Sequence, residues 1–276
     1  MDWDPDFVER SPMLEPLRAS AVRLRSHARW PAREDLQILL AEQEVTTGSG
    51  ARLRLVAPSA GTLSYESRIY LHGEMQCREG EWHDFFNLLV WLAYPRTKAA
   101  VNEAHHRESL RAPGPSTPGE APNRSRVRDA LTVFDESGAI AVSSDAELLD
   151  DLRSFGWKRL FWERRERVGA CMRVHLFGHA MFEKALNPYV GLTAHALLLP
   201  ATQALITAPP ALQLAQIDTL AAREIGAMTT PQALSPLPLL GVPGWWPENA
   251  APAFYDDEAY FRPGRLRPRS SPGPGR

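Results

Sequence analysis

VGACMRVHLFGHAMFEKAL, residues 168–186, decides how this chain folds, because it reads two ways. As a strand it would gather Cys171, Arg173, His175 and Phe177 on one face, a mixture with little packing logic. As a helix it sets Val168, Cys171, Met172, Phe182 and Leu186 along one apolar stripe. Gly178 costs such a helix about 1 kcal/mol relative to alanine, which the packing of a long helix absorbs. The spacing predicts a helix over 168–186. On it His175, His179 and Glu183 fall at i, i+4 and i+8, and two imidazoles with a carboxylate make a sensible donor set for zinc or another divalent metal. The spacing matches no high-specificity metal signature, and a hydrogen-bonded core histidine beside a surface glutamate is the structural alternative.

Working outward, EWHDFFNLLVWLAYP (81–95) predicts a strongly apolar helix over 82–92 that stops before Pro95, with Pro95 opening a second helix through Leu110. His83, Asp84 and Asn87 form a polar edge on the first of these, which must be hydrogen-bonded if buried. His83 or Asp84 could serve there as general base, unless they only cap the helix N-terminus. Alternation over 65–72 predicts a strand with Tyr65, Ser67, Ile69 and Leu71 inward and Glu66, Arg68, Tyr70 and His72 outward, putting Glu66 and Arg68 near the same site. Asn102, His105 and His106 repeat the polar pattern on a charge-rich helix end and read as solvated surface.

Residues 130–134 and 139–142, separated by Asp-Glu-Ser-Gly, predict a β-hairpin in which Asp135 is a turn residue. Helices are expected over 13–27, 31–44 and 211–227 and after the capping-box pair Ser144/Glu147. His195 ends a loop entering the apolar run 192–206 and could complete a site. Residues 111–125 hold four prolines and no large apolar side chain, which predicts a disordered insertion, and 231–261 read as an aromatic arm carrying Trp245, Trp246, Phe254 and Tyr255.

The chain has 276 residues and a formal charge of −2, with 44% hydrophobic residues, enough for one domain expected to span 1–262. Near-neutral charge argues against a dedicated nucleic-acid binder. Five arginines and no acid fall in 262–276, so any weak nucleic-acid contact is expected only through that basic tail, disordered from 263 to 276. Two cysteines cannot form a disulfide framework, no secretory signal is visible, and no apolar run reaches membrane-spanning length, so a cytoplasmic protein with no membrane partner is expected. Phosphate-binding loops, dinucleotide fingerprints, nucleophile elbows and kinase signatures are all missing.

Four blocks, YESRIYLHGEMQCREGEWHDFFNLLVWLAYPRTKAAVNEAHH (65–106), VRDALTVFDESGAI (127–140), FGHAMFEKALNPYVGLTAHALLL (177–199) and LPLLGVPGWWPEN (237–249), together resemble the bacterial family catalogued as domain of unknown function 3025. The resemblance runs from about residue 12 to 262; it implies a cytoplasmic bacterial protein and transfers no functional residue. The residues themselves lead to an α+β fold, predominantly helical, with a small antiparallel sheet or hairpin packed on helices and an extended aromatic C-terminal arm. Three segments each set ionisable groups on apolar elements, an expensive habit that often marks a site. The expected function is a small enzyme, a metal-assisted hydrolase taking a small-molecule ligand. Its catalytic candidates are His83, Asp84, Glu66, Arg68 and His195, and His175, His179 and Glu183 are its candidates for a divalent metal. The alternative is a non-catalytic binding module whose buried polar residues are structural.

Overall fold

In chain order the elements are α1 (Arg18–Leu24), α2 (Arg33–Glu42), β1 (Arg54–Val56), α3 (Tyr65–His72), β2 (Glu74–Gln76), α4 (Trp82–Ala93), α5 (Pro95–Arg111), α6 (Arg126–Ser137), β3 (Gly138–Ser143), α7 (Ala146–Arg153), α8 (Arg165–Cys171), β4 (Met172–Leu176), α9 (His179–Ala185), β5 (Thr193–Pro200), α10 (Gln203–Ile206), α11 (Pro210–Ala227) and β6 (Leu234–Pro238). This computed structural model describes residues 2–59, 62–111, 125–228 and 233–264. Most of the expected insertion at 111–125, and the basic tail from 265 onward, lie outside the described residues. The architecture is α+β and predominantly helical. A four-stranded sheet of order β4-β3-β5-β6 and a two-stranded β1-β2 sheet pack on the helices. The larger sheet is mixed: β3 runs antiparallel to β4 but parallel to β5, and β6 returns antiparallel to β5.

The sheet explains why 168–186 is not one helix. Strand β3, GAIAVS, is buried along its whole length and must find ladder partners on both sides. Met172–Leu176 supplies one of them, with Ala139 opposite Leu176 and Ser143 opposite Met172. Helical period is real in this stretch but survives only at its ends, as α8 and α9; tertiary pairing overrides it in the middle.

Two other expectations are also corrected. Residues 65–72 form helix α3, not a strand: Ser64 Oγ caps it by accepting from Ser67 N, and Gly73 ends it at φ 66°. The expected hairpin at 130–142 is helix α6 running straight into β3. Ala130, Leu131 and Phe134 form the helix's buried face, and Ser125 Oγ accepts from Arg128 N at 3.1 Å as its N-cap. Replacing Ser125 by alanine should therefore cost about 1 kcal/mol, read as a lower urea midpoint with an unchanged slope.

The segments around the site are tied down from several directions. Helix α4 is anchored by an aromatic cluster in which Trp82 stacks on Trp3 and on Phe86 and meets Trp30 edge-on. The start of α5 is capped by a residue from α11. Asp218, 1% exposed, accepts from Arg96 N at 3.0 Å and from Thr97 N at 2.8 Å. Beyond β6 the aromatic arm is a run of short 3-10 turns clamped to the sheet. Fully buried Asn249 donates to the carbonyls of Leu240 and Val242, and Tyr260 donates to Leu192 O at 2.7 Å. Among the described residues no helix is long and apolar enough to cross a membrane.

Candidate functional site

Helices α4, α6 and α9 meet at one end of the sheet, and their side chains enclose a cavity of about 490 Å³. Its walls include Tyr65 and Glu66 from α3, His83, Asp84 and Asn87 from α4, Asp135 and Glu136 from α6, and His179 from α9. Two features of the chain make these residues converge. Phe86, three residues after His83, stacks on Phe182, three residues after His179. That apolar contact lies one turn below the two imidazoles and holds them edge to face, with ring centroids 4.5 Å apart and planes at 70°. The second feature is the turn at Phe177-Gly178. Both residues donate their backbone N–H to Gly138 O, at 3.0 and 2.9 Å, which seats the start of α9 against the end of α6. Gly178 is required there: a Cβ would lie 2.4 Å from Gly138 N and 2.5 Å from the Glu136 carbonyl.

The resulting geometry is compact. His83 Nε2 and His179 Nε2 are 3.1 Å apart, and Glu136 Oε2 is 3.5 Å from His179 Nε2. One donor atom from each of the three residues falls within 4.8 Å of the others. Donors about 2.0–2.2 Å from a tetrahedral ion lie roughly 3.3–3.6 Å apart, so the spacing suits a divalent ion. Each imidazole also turns its other nitrogen toward a carboxylate: His179 Nδ1 is 3.7 Å from Asp135 Oδ2, and His83 Nδ1 is 3.7 Å from Glu183 Oε2. At 3.7 Å these are contacts at ion-pair distance and not hydrogen bonds; shortening either would fix the tautomer that leaves Nε2 free to ligate.

Electrostatics follow from burial and pairing. Burial pushes His179 down to about 4, so its imidazole is neutral at physiological pH, the form a metal requires. Burial opposes ionisation of Asp135, but the Lys98 ammonium, 2.6 Å from Oδ1, and His179 outweigh it and hold the carboxyl below its ordinary value. Glu136 is raised, chiefly by burial. Glu66 is pushed up to about 7, first by burial and then by the nearby Asp135 charge. Asp84 is lowered: burial resists, but Arg78 binds it through side chain and backbone, with Nε and Nη2 at 2.8 and 2.9 Å.

The residues singled out from the sequence thus separate. His83, Asp84, Glu66 and His179 share the cavity, and Glu183 stands behind His83. Asp84 is occupied as the anchor of Arg78, which leaves it poorly suited to take a proton. His175 leaves the proposed ligand face because it lies on β4, not one helical turn before His179; it lines a second cavity with Arg18, Gln213 and Trp245. Arg68 is turned away toward Glu74 and Ser59. His195 sits on β5, with Nδ1 3.3 Å from Ser137 Oγ, outside the cavity wall. Asn102 and His105, expected to be solvated, are buried.

Three contributors escaped sequence reasoning. Glu136 and Asp135 were hidden by the hairpin expectation, which made Asp-Glu-Ser-Gly a turn. The apolar pattern Ala130, Leu131, Phe134 is the signal that would have put them in a last helical turn. Lys98 carried only a compositional signal, being one of three lysines beside 28 arginines.

A search of curated proteins and a search of solved structures each return no match. A family profile described as a protein of unknown function, DUF3025, matches residues 53–265, a span that includes every residue of the cavity wall. The chain belongs to the DUF3025 family.

Proposed function

We propose that this protein is a metal-assisted hydrolase of small polar molecules, with one divalent ion held by His83, Glu136 and His179. The observation that carries the reading is the pair of opposed Nε2 atoms 3.1 Å apart with a carboxylate oxygen at 3.5 Å, each imidazole backed by its own carboxylate. Two histidines and a glutamate leave a fourth position on a zinc ion open, where a water can be activated. The site differs from the expected His175, His179 and Glu183 set by replacing one histidine and moving Glu183 outward. The rival reading is a non-catalytic module in which the His83–His179 contact is a plain hydrogen bond; the 3.1 Å separation fits that as well. The reading is of a cytoplasmic protein, in keeping with the free thiols of Cys77 and Cys171.

Calorimetric titration of chelator-treated protein with Zn2+, Mn2+ and Co2+ separates the two. The hydrolase reading expects one ion per chain and a melting temperature that rises with free metal, reflecting a stabilisation of about 2.7 kcal/mol at a hundred times the Kd. Metal-loaded protein should then cleave members of an ester, amide and phosphoester panel, and lose that activity to chelator. Heat-silent titration with unchanged melting would favour the rival. Glu183→Gln, which keeps the fold but weakens the support of His83, should lower zinc affinity roughly tenfold to a hundredfold. An unchanged Kd would remove Glu183 from the site.

A further inference from the structure

The carboxyls around the cavity do not all have the same freedom. Asp84 is bound by Arg78, Asp135 by Lys98, and Glu136 faces His179. Glu66 is held by an amide instead: Asn102 Nδ2 donates to its Oε2 at 2.7 Å and to its backbone carbonyl at 2.9 Å. Asn102 is 2% exposed on α5, so its amide is a fixed support. We propose that Glu66 is the catalytic residue that moves protons at the His83–Glu136–His179 centre, with Asn102 as its positioning residue. The inference rests on the metal reading above.

The chemistry this assigns is hydrolysis of an ester or amide whose leaving group needs a proton. Glu66 takes one proton from a water held at the centre while the water oxygen bonds to the substrate's carbonyl carbon. The C–O or C–N bond then breaks with its electron pair staying on the departing atom, and Glu66 returns the proton there. A carboxyl that titrates close to neutrality can do both. Burial raises its titration most, and the groups that tune it further come from two elements: Asp135 on α6 raises it, while Lys98 and Asn102 on α5 and Arg128 on α6 lower it.

Carbon-13 NMR of glutamate-labelled full-length protein reads this without any substrate. Metal-free protein should show one glutamate carboxyl with a midpoint about 7, absent from Glu66→Gln. In Asn102→Ala the midpoint should move higher, because the lost N–H favoured the ionised form; Asn102→Ser provides the same direction if the alanine variant folds poorly. Saturating Zn2+ should lower the midpoint by about one unit or more, since a divalent ion sharing the cavity favours the carboxylate. A midpoint in the ordinary carboxylate range overturns the inference. So does a midpoint unmoved by zinc that calorimetry shows to be bound, and in both cases the metal reading stands. Protein that binds no zinc loses the metal reading and this inference together.

Discussion

Gly178→Ala is expected to lower stability by about 3 kcal/mol, among the larger effects of a single methyl group. Its Cβ would meet backbone atoms, Gly138 N at 2.4 Å and the Glu136 C and O at 2.5 Å, so no side-chain rotation can relieve it. Either the α6–β3 junction or the start of α9 must shift. The two hydrogen bonds to Gly138 O would stretch, and Glu136 would separate from His179. Urea denaturation therefore reports the loss of stability, and zinc affinity should fall with it. Gly169→Ala is the matched control. A Cβ there meets nothing within 4 Å and the residue lies in α8, so the change should be neutral or stabilising by up to about 1 kcal/mol. Equal midpoints for the two variants would show that the close approach at Gly178 is relieved cheaply.

Removing one imidazole should have a comparable effect on metal uptake. His83→Ala is the cleaner variant, because its side chain is 37% exposed and its loss leaves little buried void. Zinc affinity should drop by more than about a hundredfold, beyond what loss of an outer carboxylate produces. The metal-free melting temperature should stay near the wild-type value. His179→Ala should abolish binding too, but its side chain is 4% exposed, so part of its effect will appear as lower stability even without metal. The chelated-protein baseline separates those contributions. Wild-type zinc affinity in His83→Ala would exclude Nε2 of this residue as a ligand.

Legibility in the sequence followed the strength of local patterns. Helix α4 was readable because of its dense apolar run and because Pro95 stops it; α5 was readable from its proline start. Helix α3 was misread because eight residues with polar and apolar side chains intermixed fit period two as well as a short amphipathic helix. The end signals, Ser64 and Gly73, carried the decision. Strand β4 was illegible locally, since its pairing with β3 is set by a stretch some thirty residues earlier in the chain. The site shows the same division. His83, Asp84, Glu66 and His179 stood out as ionisable groups on apolar elements, and the cavity gathers them. Glu136, Lys98 and the role of Gly178 depend on which backbone segments touch, and composition and spacing do not encode that contact directly.

The central claim, that His83, Glu136 and His179 form one metal centre, is tested most directly by anomalous diffraction at the zinc edge from zinc-loaded crystals. The expected result is one strong peak per chain within about 2.0–2.2 Å of both Nε2 atoms and a Glu136 carboxylate oxygen. A peak at His175 or elsewhere on the surface, with His83 and His179 still in direct contact, would contradict it.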